Sequence, residues 1–460
     1  NIDPTSLTTN LTGKSRYQII AKNVDPQTWL NVQSAISNYN KSLGKGIKSL
    51  TGAINGFYGE RSYTRQYPDG ALTSSIIGIV NANGVGAAGI ESSFNSGLTG
   101  ENGQYTFQDG AGTIIPGSQE MISEPKAGTS IRLTINRDIQ WVAQDAISKA
   151  VKTAHALSGN VIVMDPHDGS ILAEASAPNF DPNKPKTITV ASLLNPAVQD
   201  AYEPGSTGKV ITASAALEVG AVTPTSIFDI PTVLKLDGNV YHDAERHADE
   251  KLTTTGILAT SSNIGAIQIG ERIPNQTFYD FLQKFGIGQS TNSGLPGESA
   301  GLLRPASDWV KSNAHTIAFG QGYAVTSLQA AQVFATIAND GVRVQPHVVA
   351  GIYSADGSYQ PTPISTGVQV VSSNTASTIR NMLESVVSPD GTAPAAAERR
   401  AQRDRPLAPR PAVFTRCAVR RTAARISRLP HGGLISLRNT SGDGTDRKST
   451  RLNSSHTDIS

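Results

Sequence analysis

Ser206-Thr207-Gly208-Lys209 sets a hydroxyl and an amine three residues apart, a spacing that places both on one face of a helix. A serine hydroxyl is a poor nucleophile until a neighbouring base takes its proton, and a lysine serves as that base when burial disfavours its charged form. The surrounding residues supply such a setting. Pro204 and Gly205 break whatever precedes them, and the run 210–219, with Val210, Ile211, Ala213, Ala215, Ala216 and Leu217 closed by Gly220, predicts a buried helix of about three turns. Ser206 falls in its first turn, where the positive end of the helix favours an alkoxide.

The same spacing occurs at Ser42-Leu43-Gly44-Lys45 and Ser123-Glu124-Pro125-Lys126, but neither opens a long apolar helix, and Gly44 and Pro125 predict loops. A phosphate-binding loop does not fit Gly208-Lys209, because Glu203 stands at the first glycine's place and Val210 at that of the magnesium-binding hydroxyl. Nor is Gly205-Ser206-Thr207-Gly208 a hydrolase elbow, which needs glycine two residues after the serine.

A second constellation, Ser261-Ser262-Asn263, lies between the apolar segments 253–259 and 264–269, which would hold a polar turn rigidly; its serine can pass protons and its asparagine can hold an amide. Ser372-Ser373-Asn374 repeats the pattern and reads as a helix cap. Gly84-Val85-Gly86-Ala87-Ala88-Gly89 matches a dinucleotide fingerprint, with Asp109 at the acidic position. Loop-forming Asn95, Gly97, Gly100, Asn102 and Gly103 lie between, so the glycines read as turns.

Ser-x-x-Lys with Ser-x-Asn resembles the motif set of penicillin-binding proteins and serine β-lactamases. The resemblance extends to 159–166 with 168–173 (the first hairpin of a transpeptidase domain), 177–183, 195–206, and Phe319-Gly320-Gln321-Gly322 with 325–329 running into a helix that ends at 338–341. Gly59-Glu60-Arg61, Tyr67-Pro68, Ile77-Gly78 and Gly89-Ile90-Glu91 resemble the pedestal of class B penicillin-binding proteins of the cell-division (FtsI-like) type. The fold this implies is α+β. It comprises an N-terminal β-rich pedestal or dimerisation domain (1–127) and a penicillin-binding transpeptidase domain (128–397) whose antiparallel sheet is flanked by helices.

Length and composition fit two or three domains: 460 residues, 38% hydrophobic and 17% charged. The lone Cys417 excludes a disulfide framework and a thiolate metal site, and the eight histidines form no metal-spaced cluster, with His242 and His247 reading as a solvated loop. No cofactor or metal is implied. No run of eighteen apolar residues occurs. Relatives carry an N-terminal anchor, so the expectation is a protein on the outer face of the bacterial cytoplasmic membrane whose anchor lies upstream of Asn1.

Residues 398–460 change character: thirteen arginines and one lysine face five acids, a net of +9, leaving −7 for 1–397 in a chain of +2. Without stacking aromatics this charge is no nucleic-acid module. It reads as an out-of-frame tail, disordered and not a domain. No Lys-Thr-Gly or Lys-Ser-Gly occurs, and Lys448-Ser449-Thr450 lacks the glycine. The sheet strands beyond that motif are therefore expected to be missing, leaving an exposed edge, and β-lactam binding to be poor.

The resemblance implies a D,D-transpeptidase that cross-links peptidoglycan stem peptides ending in D-alanyl-D-alanine and is acylated by β-lactams. Ser206 is the nucleophile, Lys209 its base, Ser261 the proton donor to the leaving amine, and Asn263 holds the substrate amide. A membrane glycan polymerase and division proteins are the implied partners. A D,D-carboxypeptidase or β-lactamase of the same fold, or a non-catalytic wall-binding scaffold, is the alternative.

Overall fold

The computed structural model describes residues 8, 18–21, 24–44, 52–54, 56, 57, 59, 64–106, 109, 110, 113, 114, 120–397 and 434–438. The chain forms two compact units, 1–66 and 67–460. In the first, Asp25 caps helix α1 (Pro26–Ser42) by accepting from the Thr28 amide at 3.1 Å, and Asn40 exchanges two hydrogen bonds with the backbone of Ile54. Glu60 and Arg61 lie outside the described residues.

The second unit begins with the glycine-rich segment. Strands β1 (Ile79–Val80) and β2 (Gly86–Ala88) pair antiparallel, and Gly84 and Gly89 take positive φ at its turns, so no dinucleotide cradle forms. Residues 67–127, read from sequence as pedestal, belong to this unit: Ile76 and Ile90 pack in one cluster with Ile162 and Ile171, and Gln140 Nε2 donates to the Leu72 carbonyl at 2.9 Å. Strand β3 (Ser130–Leu133) leads into helix α2 (Arg137–Ala154), capped by Asn136.

Strands β4 (Ser158–Met164) and β5 (Ile171–Ala177) form the expected antiparallel hairpin. Both faces are covered, so even the alternating polar residues Glu174 and Ser176 of β5 are buried. Val161, Val163, Ala173 and Ala175 pack on Ala143, Ile147 and Ala150 of α2, while Ile162 and Ile171 meet Val198 and Leu328.

Helix α3 (Lys209–Glu218) is buried from Lys209 through Ala216, so it reads apolar all round and sits inside a helical layer. A hairpin of β6 (Leu234–Leu236) and β7 (Asn239–Tyr241) follows. Next come α4 (Thr254–Thr260), capped by Thr253, and α5 (Asn263–Gly270), capped by Ser262. Helix α6 (Lys311–Ala318) precedes α7 (Ser327–Ala338), whose capping box pairs Thr326 with Gln329. Strand β8 (Val349–Tyr353) pairs with β3, and Ser372 caps α8 (Ser373–Leu383), as read from the second Ser-x-Asn.

The architecture is the expected α+β one. On the far side of β4, strand β9 (Leu434–Arg438) pairs antiparallel from Leu434↔Ile162 to Arg438↔Ser158, giving the order β9-β4-β5. The tail was expected to leave that edge bare. Instead one apolar stretch of it supplies backbone partners there, because an unpaired edge accepts any strand of compatible register. The rest of 398–460, including Cys417 and Lys448-Ser449-Thr450, lies outside the described residues.

Candidate active site

Ser206 stands in a 3₁₀ turn, Gly205–Gly208, that runs directly into α3, so the hydroxyl and the Lys209 amine are one turn apart at the head of a buried helix. Ser206 is exposed and Lys209 is 2% exposed. The turn is gripped on both sides. Thr207 Oγ1 donates to the Pro204 carbonyl at 2.8 Å, Gly205 N to the Gly320 carbonyl at 2.8 Å, and Gly322 N to Glu203 Oε1 at 2.8 Å. Tyr202 and Val325 exchange backbone bonds at 2.9 Å, and Thr212 Oγ1 donates to the Ala318 carbonyl at 2.7 Å. Segment 318–325, marked in sequence only by its resemblance, is the clasp that fixes the nucleophile turn. Gly320 permits the approach: its φ is +87°, and a Cβ there would overlap the Gly205 carbonyl.

The structure brings the second constellation to the same amine. Lys209 Nζ donates to the Ser261 carbonyl at 2.5 Å, to Ser261 Oγ at 3.1 Å and to Asn263 Oδ1 at 2.7 Å. Ser261 ends α4 in the left-handed region (φ 60°, ψ 40°), which costs a non-glycine residue on the order of 1 kcal/mol and turns both its carbonyl and its hydroxyl toward Lys209. Ser262 Oγ accepts from Gly265 N at 2.9 Å and takes no part in the contact with Lys209. Asn263 opens α5, so its side chain leaves the helix at the amine.

Asn263 has further partners that the sequence did not reveal. Its amide Nδ2 donates to the His242 carbonyl at 3.2 Å, which fixes the orientation of the amide with Oδ1 toward Lys209. Asp243 Oδ1 accepts from the backbone amides of Asn263 at 2.5 Å and Ile264 at 2.9 Å. His247, read as part of a solvated loop, is only 19% exposed, with Nε2 3.3 Å from Asp243 Oδ2 and Nδ1 3.5 Å from Glu250 Oε1. One signal was available: Leu234 to Tyr241 alternates around Asp237-Gly238, a hairpin pattern, and the acid stands two residues beyond it.

The decoys lie elsewhere. Ser42 is the last residue of α1 and Ser123 ends the strand Glu120–Ser123, and each stretch then runs into irregular backbone at Gly44 and Pro125, as expected; Lys45 lies outside the described residues.

A hydroxyl open to solvent one turn ahead of a buried amine, with a second hydroxyl and an amide on that amine, is a constellation suited to proton transfer to and from an acyl-accepting serine. The family model described as the penicillin binding protein transpeptidase domain matches residues 159–403, and the penicillin-binding protein dimerisation domain model matches 6–133. Penicillin-binding protein PbpB of Mycolicibacterium smegmatis is 37% identical over 346 residues, 74% of this chain and 53% of that protein. Peptidoglycan D,D-transpeptidase FtsI of Escherichia coli is 30% identical over 392 residues, 85% of this chain and 61% of that one. The crystal structure of penicillin binding protein 3 from Mycobacterium tuberculosis in its apo form shares 34% identity over 73% of each chain, with a TM-score of 0.66. A structure of the same protein complexed with ampicillin gives 34% and 0.66 as well. The chain spans about half the length of the mycobacterial relatives it matches.

Proposed function

We propose, from the premise that this chain belongs to the penicillin-binding protein transpeptidase family, that it carries the acyl-transfer site of a serine D,D-transpeptidase of cell-wall synthesis. The single observation that carries the reading is the convergence of Ser261 and Asn263 on the buried Lys209 amine one turn from Ser206.

In this reading Ser206 attacks the carbonyl between the two terminal D-alanines of a stem peptide, and Lys209 takes the hydroxyl proton. The exposed side of the turn admits the peptide, while the clasp from 318–325 keeps the hydroxyl from swinging away from the helix. Ser261 Oγ, 3.1 Å from the amine, passes that proton to the leaving D-alanine amine. Asn263 spends one N–H on the His242 carbonyl and its oxygen on Lys209, which leaves its second N–H for the carbonyl of the donor peptide. The amine of a neighbouring stem peptide then attacks the acyl-enzyme, and the proton it gives up passes through Ser261 and Lys209 to Ser206 Oγ as the ester bond breaks. A β-lactam acylates the same hydroxyl because its strained amide presents an equivalent carbonyl.

The protein then works on the outer face of the cytoplasmic membrane, with a glycan polymerase and division proteins as partners. Among the described residues no helix is long and apolar enough to cross a membrane.

The sequence lacks Lys-Thr-Gly, and this favours slow acylation by a β-lactam, whose carboxylate that motif would bind. Losing one oxyanion donor alone costs about 3 kcal/mol, on the order of a hundredfold in rate. Incubation with fluorescent penicillin tests both parts. Slow labelling confined to Ser206, abolished in Ser206→Ala, is expected. Rapid stoichiometric labelling would show the motif to be dispensable, and labelling that survives Ser206→Ala would remove Ser206 from the chemistry.

A further inference from the structure

The Ser-x-Asn asparagine owes its place to a carboxylate twenty residues upstream. Asp243 leaves the β6–β7 hairpin with a side chain only 9% exposed, and one oxygen, Oδ1, receives the first two backbone amides of α5, those of Asn263 and Ile264. Neither amide has a partner within the helix, because the first turn of any helix lacks acceptors. The other oxygen, Oδ2, faces His247 Nε2 at 3.3 Å, and His247 Nδ1 lies 2.8 Å from the Ala248 carbonyl and 3.5 Å from Glu250 Oε1. His247 thus lies against the outer face of Asp243 without a hydrogen bond from its Nε2, so the hold of Asp243 on α5 rests on Oδ1. The residue before it completes the hold, since the His242 carbonyl takes the Asn263 side-chain N–H. Backbone and amide of Asn263 are therefore both set by one dipeptide, His242-Asp243, and the amide oxygen so aimed is the one that binds Lys209.

We propose that Asp243 is a positioning residue for the acyl-transfer reaction, acting on Lys209 through Asn263. The proposal rests on the reading of Ser206 and Lys209 given above. A capping role alone makes a different prediction. Ser262 caps the same helix through Gly265 N and touches neither Asn263 Oδ1 nor Lys209, so Ser262→Ala removes a cap of like strength without disturbing the chain of contacts from Asp243 to the amine. Asp243→Asn keeps an oxygen able to accept from both amides, whereas Asp243→Ala keeps none.

The full chain and these three variants would be compared by the reaction of Ser206 with a neutral fluorophosphonate, which needs no carboxylate-binding motif. The Asn263 side-chain amide signal in asparagine-labelled protein gives the second readout, and thermal melting the third. Asp243→Ala and Ser262→Ala are expected to melt at similar, lowered temperatures. Asp243→Ala alone shifts the Asn263 amide signal and slows Ser206 phosphonylation by tenfold or more, on the order of a charge-assisted hydrogen bond. Asp243→Asn stays within about threefold of the parent rate, since it retains the neutral form of that bond. Equal behaviour of Asp243→Ala and Ser262→Ala in both signal and rate would overturn the proposal. If the parent chain takes no phosphonate, the nucleophile reading fails while the Asn263 signal still decides this one. If Asp243→Ala does not fold, backbone amide exchange in the parent decides: slow exchange at Asn263 and Ile264 is expected, and exchange as fast as in an uncapped first turn would contradict it.

Discussion

Replacing Gly208 with alanine should uncouple the nucleophile turn from its clasp. Gly208 lies between the hydroxyl and the amine with φ −66° and ψ −21°, ordinary right-handed values, so the backbone does not require glycine there. The neighbouring space does. A Cβ at 208 would overlap Tyr323 Oη and lie 3.0 Å from Gly320 Cα and 3.4 Å from Tyr323 Cζ. Tyr323 is fully buried, its hydroxyl has no hydrogen-bond partner, and burial, with Tyr202 nearby, pushes the phenol above its ordinary range, so it stays neutral. Overpacking of this kind costs about 1–3 kcal/mol, and alanine's better helix propensity returns about 1 kcal/mol, so a net loss of up to about 2 kcal/mol is expected. Tyr323→Phe removes the overlapping oxygen and a buried unpaired polar atom, and by itself should be neutral or stabilising by up to about 1 kcal/mol. In the double variant the overlap with the phenol oxygen is gone while the 3.0 Å approach to Gly320 Cα remains, so part of the loss is recovered and the two changes couple by about 1 kcal/mol. Urea unfolding of the four proteins measures the cycle, and phosphonate labelling of Ser206 reports whether the turn has moved. A stable Gly208→Ala, or strictly additive changes, would refute the idea that Tyr323 dictates the residue between nucleophile and base.

Ser261→Ala should leave Lys209 bonded to the 261 carbonyl and Asn263, so the fold holds while deacylation and acylation slow by on the order of a hundredfold, the share of one proton-transfer group; stopped-flow labelling with melting as control measures this. Glu174 is buried between Ser75, Ser176 and Asn195, and burial raises its pKa above 4.5 despite hydrogen bonds from all three. The folded chain thus binds more protons than the unfolded one between 4.5 and the raised value, so stability is fullest below that window and falls as pH rises through it. Glu174→Gln should flatten that slope, and a slope unchanged in urea titrations at several pH values would contradict it. Gln329 is fully buried, receives the Thr326 amide at 2.7 Å and donates to the Gln289 and Ala300 carbonyls at 2.8 Å each, so Gln329→Ala should cost about 3 kcal/mol or more in chemical unfolding.

What the sequence made legible were features carried by neighbours in the chain. The apolar run after Lys209, the apolar segments on either side of Ser261-Ser262-Asn263 and the cap at Ser372 are local patterns, and α3, α4, α5 and α8 follow them within a residue or two. The pairing of Ser206 with Lys209 was legible for the same reason. Their meeting with Ser261 and Asn263 crosses more than fifty positions and came only from resemblance. Asp243 reaches Asn263 across twenty positions, and the hairpin pattern before it places the acid without naming its partner; His242 is exposed, as a loop in water would have it, whereas His247 is only 19% exposed because it packs between Asp243 and Glu250. Glu174 hid in an apolar strand, where a carboxyl survives because three polar side chains surround it. The strand at 434–438 was invisible against the arginines around it, since an open edge selects a partner by backbone.

The central claim is that Ser206 reacts because Lys209 takes its proton. Peptide mass spectrometry of the full chain after exposure to a neutral fluorophosphonate tests it in the parent, Lys209→Met and Ser206→Ala. The account predicts an adduct on Ser206 in the parent, formation slower by about a hundredfold or more in Lys209→Met at unchanged melting temperature, and none at that site in Ser206→Ala. An adduct that forms as quickly without the lysine, or that settles on another serine, would contradict it.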